Sequence, residues 1–162
     1  MKEQSTTQDE LRTLFSLVGG ELIRRVRTCN GVRIGDAAGS LNGDGYYRVK
    51  LGGKTYLTHR LIWLYTHGVW PVNELDHING DKQDNLIENL RDVTRSENLQ
   101  NLRKPLSNNQ TGVLGVGFSR GSYKARIKTD GVPTHLGSFA TAALAGAAYV
   151  NAKRQHHATC TI

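Results

Sequence analysis

Residues 73–85, NELDHINGDKQDN, carry the most informative pattern in this chain. An Asp76-His77 pair ends a short apolar step, and Asn79-Gly80 follows it at once. Asn-Gly is the strongest short-range signal for a β-hairpin, because both residues tolerate a positive φ angle. A hairpin alone accounts for Asn79 and Gly80. It does not account for a carboxylate and an imidazole standing side by side just before the turn.

The composition is that of a globular chain long enough for one ordinary domain or two small ones. It has 162 residues, of which 38% are hydrophobic and 22% charged, within the usual range for folded domains. No apolar run approaches the ~20 residues that span a bilayer. The N-terminus MKEQSTTQDE is too polar for a secretory signal. We therefore expect an intracellular, cytoplasmic protein.

The charge is strongly basic and unevenly distributed. The net charge is +7 and the pI about 9.6; residues 1–70 contribute +4, residues 71–102 contribute −4 and residues 103–162 contribute +7. This pattern predicts a polyanion bound on either side of an acidic segment that holds a cation. Charge alone leaves open the alternative that these are simply solvated faces.

The local patterns predict two modules that meet near residue 105. In chain order they predict a helix over 8–18, a strand after Gly19-Gly20, a hairpin around Gly52-Gly53, a helix over 59–68, a strand in ENLRDVT, a helix capped by Thr94 and Glu97, a linker over 103–110, and then three strands and an alanine-rich helix from Thr141.

The polar residues of the first module suggest hydrolytic chemistry. A helix packed across a strand pair could bring Asp76 and Asn98 together, and two oxygen donors suit Mg²⁺. His77 would activate water, with Asn89 as the partner of its other ring nitrogen. An EF-hand does not fit, since the loop positions counted from Asp76 lack its ligands, and the Cys/His cluster of a structural zinc site is missing from this segment of the sequence.

The ordered run LDHINGDKQDNLIENLRDVTRSENLQN closely resembles the ββα-metal motif of HNH endonucleases, particularly the phage and intron-associated homing type. The resemblance covers residues 40–102 well and residues 1–39 weakly. It implies that His77 is the general base, that Asn89 orients it, and that Asp76 and Asn98 bind Mg²⁺, with Mn²⁺ as a substitute. Asn98 stands where many relatives have a histidine.

The second module presents a row of cations on one strand. In SYKARIK, Tyr123, Ala125 and Ile127 share one face, and Lys124, Arg126 and Lys128 share the other. Because like charges weaken a sheet, a polyanionic partner would explain the row, which Arg120 extends. A merely soluble strand is the open alternative.

Residues 111–158 resemble the AP2 DNA-binding domain, through GVLGVGF, YKARI, HLGSF and the alanine-rich helix in order. That resemblance implies a sheet that enters the major groove with these four cations as contacts.

The sequence therefore predicts an α+β protein. It comprises a weakly assigned N-terminal region (1–39), a ββα-metal HNH module (40–102), a linker (103–110) and an AP2-like domain (111–162). The predicted function is site-specific cleavage of double-stranded DNA, by a monomer, to 5′-phosphate and 3′-hydroxyl ends, with added backbone contacts from Arg48 and Lys50. The alternatives are a non-catalytic DNA-binding regulator on an HNH scaffold and, more weakly, an RNA-binding protein.

Overall fold

The computed structural model describes residues 6–28, 31–105, 107–129, 131–157 and 160. The chain forms two compact units, Met1–Val93 and Thr94–Ile162, and both helices and strands occur in each. None of the helices in these described ranges combines the length and the apolar character that a membrane crossing requires.

The first unit joins short hairpins to two helices. Its elements are α1 (Gln8–Leu14), β1 (Phe15–Val18), β2 (Glu21–Arg24), β3 (Ser40–Leu41), β4 (Tyr47–Leu51), β5 (Lys54–Leu57), α2 (Thr58–His67), β6 (Glu74–His77), a 3-10 turn (Ile87–Asn89) and β7 (Leu90–Val93). β1 pairs with β2, β4 lies between β3 and β5, and β6 pairs with β7. The core of this unit joins α1 and α2 to the strands through Leu11, Phe15, Leu22, Leu61 and Ile62.

The predicted helix over 8–18 is wrong beyond Leu14. Phe15 is extended, with φ −136° and ψ 157°, and the strand it begins pairs antiparallel with β2. Gly19 and Gly20 close that hairpin with φ angles of 56° and 80°, values that glycine adopts without steric cost. The helical spacing predicted that Phe15 and Val18 are both buried. Phe15 is buried, but it lies in a strand, and Val18 is 60% exposed.

The predicted helix over 59–68 is confirmed as α2, which ends at His67 and is capped by Gly68. That glycine has φ 77° and donates its N–H to the carbonyl of Leu64, the usual left-handed cap of a helix. The Gly52-Gly53 hairpin between β4 and β5 is confirmed as well.

The second unit contains a short helix, a three-stranded antiparallel sheet and a long helix. Its elements are α3 (Arg95–Gln100), β8 (Val116–Ser119), β9 (Ser122–Thr129), β10 (Val132–Phe139) and α4 (Ala142–His156), with β9 in the centre of the sheet. Ala125 and Ile127 of β9 pack with Ala145, Tyr149 and Ala152 of α4 in one apolar cluster. This confirms the predicted apolar face of the strand.

The division between the units falls at Val93 and Thr94, ahead of the predicted linker at 103–110. Within the second unit, the chain that follows α3 is bonded to α4. The ammonium of Lys153, which is 1% exposed, donates to the carbonyl of Leu102. Burial lowers the pKa of Lys153.

Candidate active site and nucleic-acid interface

β6 and β7 place the Asp76-His77 pair at the end of a two-stranded ladder. Asp76 lies opposite Arg91 and His77 opposite Leu90. Both polar side chains are largely buried, with exposures of 9% for Asp76 and 3% for His77. Consecutive strand residues point to opposite faces, so the carboxylate and the imidazole leave the strand in different directions.

The predicted tight Asn79-Gly80 hairpin is not what joins these strands. β6 ends at His77 and β7 begins at Leu90, so residues 78–89 form a long loop. The turn itself forms, because Gly80 has φ 75° and donates its N–H to the carbonyl of His77 at 2.8 Å. Among the described residues other than glycine, Arg120 alone has a positive φ angle, so Asn79 does not have one.

Asn89 holds this loop closed from its far end. Its side-chain oxygen accepts from the backbone N–H of Asn79 at 3.0 Å. Its amide nitrogen donates to the side-chain oxygen of Asn79 at 3.1 Å and to the carbonyl of Asp84 at 2.7 Å. Asn89 is 8% exposed, and a buried amide with three such bonds fixes the path of the chain.

The group bonded to the Nε2 of His77 is Asn85, at 3.0 Å from its side-chain oxygen. The expectation that Asn89 fills this role is corrected here, since the side chain of Asn89 bonds the turn. An amide oxygen only accepts, so Nε2 carries the proton of the neutral ring and the basic lone pair lies on Nδ1. Asn85 lies in the quoted motif, but nothing in its spacing marks it as the partner of His77.

Two further rings surround His77. His59, the second residue of α2, lies 5.1 Å from it between ring centroids, at an interplanar angle of 81°. Tyr46 lies 5.4 Å from His59 and 6.0 Å from His77. Both residues precede the run LDHINGDKQDNLIENLRDVTRSENLQN in the sequence.

The surroundings of these rings set their protonation. Burial first, and then the neighbouring His77 and Arg60, lower the pKa of His59 from 6.5 to about 3. His59 is therefore neutral at any pH at which the protein would work. Burial, followed by the nearby negative charge of Asp76, raises the pKa of Tyr46, so its phenol also stays uncharged.

Asp76 is held by a two-bond ion pair with Arg91. The Nε and Nη2 atoms of Arg91 donate to Oδ2 of Asp76 at 3.0 and 2.7 Å. Carboxylate oxygens are ligands that a hard cation such as Mg²⁺ prefers. The described residues contain no group of three or more His, Cys, Asp or Glu side chains arranged for a metal. A carboxylate with few other protein ligands fits Mg²⁺ or Mn²⁺, whose remaining coordination positions water and substrate phosphate oxygens would fill.

Asn98, the other predicted ligand, lies on α3 in the second unit. The capping box predicted at the start of this helix is confirmed, since Thr94 accepts from the N–H of Glu97 and the Glu97 carboxylate accepts from the N–H of Thr94. The pairing of Asn98 with Asp76 remains a prediction.

Three cations of the first unit lie on an exposed strand face or on the long loop. Arg48 and Lys50 of β4 are both exposed, on the opposite side of the strand from buried Val49. Lys82 reaches back from the loop, where its ammonium lies 4.7 Å from the centre of the Tyr46 ring and donates to the carbonyl of Asp44 at 3.0 Å. The sequence had not singled out Lys82.

In the second unit, β9 presents its predicted cations on the face away from α4. Arg126 and Lys128 are exposed and Lys124 is half-buried, in alternation with buried Ala125 and Ile127. His135 of β10 lies directly opposite Arg126 and is exposed. Its side chain lies on the same face of the sheet as that of Arg126, and the pattern of β9 alone could not have identified it.

Arg120 lies off the face, in the turn between β8 and β9, with φ 52°. Its side chain is exposed at the end of the sheet. The four predicted DNA contacts of the second unit lie on β9 or in the turn that precedes it: Arg120, Lys124, Arg126 and Lys128. None of these four side chains is buried.

Comparison with known proteins shows which family the segment around the first site resembles. Residues 56–100 match the family model described as HNH endonuclease, so the chain carries an HNH endonuclease domain. Over 63 residues the chain is 40% identical to DNA endonuclease I-HmuI of Bacillus phage SP01. That similarity covers 36% of this chain and 36% of the relative, so the chain matches about a third of the length of that protein. No solved structure is significantly similar to the chain.

Proposed function

We propose that the protein is a site-specific, Mg²⁺-dependent DNA endonuclease of the homing type, with Mn²⁺ as a substitute. The observation that carries the proposal is the pairing of His77 with Asn85, at 3.0 Å, beside a carboxylate and inside the segment that matches HNH endonucleases. A regulator that only binds DNA would have no use for an oriented base next to a carboxylate.

In the proposed reaction, His77 is the general base. With its Nε2–H donated to Asn85, its Nδ1 takes a proton from water, and the oxygen of that water attacks phosphorus in line. The P–O bond to the 3′ oxygen breaks, leaving a 5′-phosphate and a 3′ oxygen that takes a proton from solvent water to become the 3′-hydroxyl. General-base assistance of this kind typically contributes ~10²–10⁴-fold to the rate.

The other residues of the site hold and position the reactants. Arg91 fixes the carboxylate of Asp76 through its two bonds to Oδ2. Asp76 and Asn98 would hold the Mg²⁺ ion, which when bound neutralises charge on the phosphate and on the departing oxygen. Asn89 keeps the loop that carries Asn85 in place.

We propose that the second unit recognises double-stranded DNA in the manner of an AP2-like domain. Its exposed row of Lys124, Arg126 and Lys128 supports this, since a strand can enter the major groove with Arg on guanine edges and Lys on phosphates. Arg120, Arg48 and Lys50 would add backbone contacts. We further propose that the protein acts as a monomer on DNA, in the cytoplasm of a bacterial host.

Cleavage of supercoiled plasmid carrying phage DNA tests the nuclease. The wild-type protein should convert it to open circles or linear DNA with Mg²⁺ or Mn²⁺ and not with EDTA. His77→Ala should lose conversion, and Asp76→Ala should lose at least as much, while both still shift DNA in a gel. His156→Ala, at an exposed position in the last turn of α4, is the matched control and should cleave normally. Firm binding without cleavage under any condition would favour the regulator, and preference for RNA in competition would favour the RNA-binding alternative.

A further inference from the structure

We propose that His59 is a positioning residue for this reaction, whose ring fixes the plane of the His77 imidazole. The inference rests on the proposed function, since it assigns a part in phosphodiester hydrolysis. It adds to the HNH site a residue from α2, outside the two strands and loop that carry His77, Asn85 and Asn89.

The contact between the two rings is an edge-to-face one. Their centroids are 5.1 Å apart and their planes meet at 81°, a geometry in which the positive edge of one ring meets the negative face of the other. His59 is 4% exposed and His77 is 3% exposed, so this contact is shielded from water. Tyr46 packs against both rings, at 5.4 and 6.0 Å.

The contact with His59 constrains His77 in a different way from a hydrogen bond. The bond from Nε2 of His77 to Asn85 fixes the position of one atom of the imidazole, whereas an edge-to-face contact fixes the plane of the ring. The lone pair on Nδ1 lies in the plane of the ring, so a tilt moves it out of line with the attacking water. The edge-to-face contact with His59 opposes that tilt.

The protonation of His59 suits this part. Burial, His77 and Arg60 together lower its pKa to about 3, so the ring places no positive charge beside the base. The contact therefore depends on a flat, uncharged ring at position 59. Phenylalanine there should keep the contact with His77, whereas an aliphatic side chain of similar size should lose it.

The test compares three variants of the full chain. His59→Phe keeps a flat ring and His59→Leu keeps buried volume without one. Leu61→Ala is the packing control, because Leu61 is 0% exposed in the same helix and has no ring to contact His77. His59→Leu should lower the single-turnover cleavage rate about 10-fold to 100-fold, as small misplacements of a reacting group do, without changing DNA affinity. His59→Phe should cleave like the wild type, and Leu61→Ala should lose stability while its folded fraction keeps its rate.

A second readout does not depend on cleavage. In protein labelled with ¹³C at histidine Cε1, relaxation of the His77 ring signal, assigned by its loss in His77→Ala, reports the motion of that ring. The signal should show a mobile ring in His59→Leu and a rigid one in the wild type, His59→Phe and Leu61→Ala. If the wild type fails to cleave any DNA, the proposed function fails, and this readout still decides whether His59 holds His77. A rigid His77 in His59→Leu, or equal cleavage by His59→Leu and His59→Phe, would overturn the inference.

Discussion

Acid should destabilise the first unit through His59, because burial lowers the pKa of its imidazole in the folded protein. The pKa of His59 is 6.5 in an unfolded chain and about 3 in the folded protein. Above pH 6.5 the ring is neutral in both states and contributes nothing. Between these two values the unfolded state binds a proton that the folded state does not, so stability falls as the pH is lowered. At 1.36 kcal/mol for each pH unit below 6.5, acidification to about pH 5 should cost about 2 kcal/mol.

Urea unfolding followed by tryptophan fluorescence measures this loss in the first unit, because both tryptophans, Trp63 and Trp70, lie there. We would compare the wild type with His59→Phe at about pH 7.5 and about pH 5. Other titrating groups are common to both proteins, so the difference between their pH-dependent losses isolates His59. That difference should be about 2 kcal/mol. Equal losses in the two proteins would refute the reasoning, since His59 would then be accessible to protons in the folded state.

Three other predictions follow from single contacts. Asn89→Ala removes three side-chain hydrogen bonds. At ~1 kcal/mol for each bond, it should lower the free energy of unfolding by about 3 kcal/mol in the same fluorescence assay. A smaller loss than that caused by Asn85→Ala would contradict this prediction. Lys128→Ala should weaken DNA binding and reduce the slope of log K against log salt by about 1, whereas unchanged binding would exclude it as a phosphate contact. Gly115→Ala should unfold the second unit, because the new Cβ would overlap a ring carbon of Tyr149 and residue 115 has a φ angle of 71°. Loss of the dispersed NMR signals of this unit would show the unfolding, and a folded spectrum would contradict that packing.

The elements that the sequence predicted correctly are those whose signals are local. The Gly52-Gly53 hairpin, the Gly68 cap, the Thr94 capping box and the Ala125–Ile127 face each depend on residues a few positions apart. The predicted helix was wrong beyond Leu14 because residues 15–18 fit two local patterns. Their apolar spacing favours a longer helix, but in the structure they form a strand that pairs with β2 across the turn at Gly19-Gly20.

The candidate site was predictable as a set of residues but not as a set of contacts. Asp76, His77 and Asn89 were named from their order in the motif. Their partners, Arg91, Asn85 and Asn79, come from strand register and from the path of a long loop, which no spacing rule encodes. His59 reaches His77 from a different helix, so only the fold brings the two rings together.

The buried ammonium of Lys153 bears on how this protein can be cut and recombined. A fragment that begins at Thr111 would look like a natural recognition domain for transfer to another nuclease, yet it would lack the carbonyl of Leu102 that Lys153 bonds. A cation 1% exposed and deprived of its acceptor costs at least about 1–3 kcal/mol. A fragment that starts at Thr94 keeps the donor and acceptor together, and chimeras should be joined there.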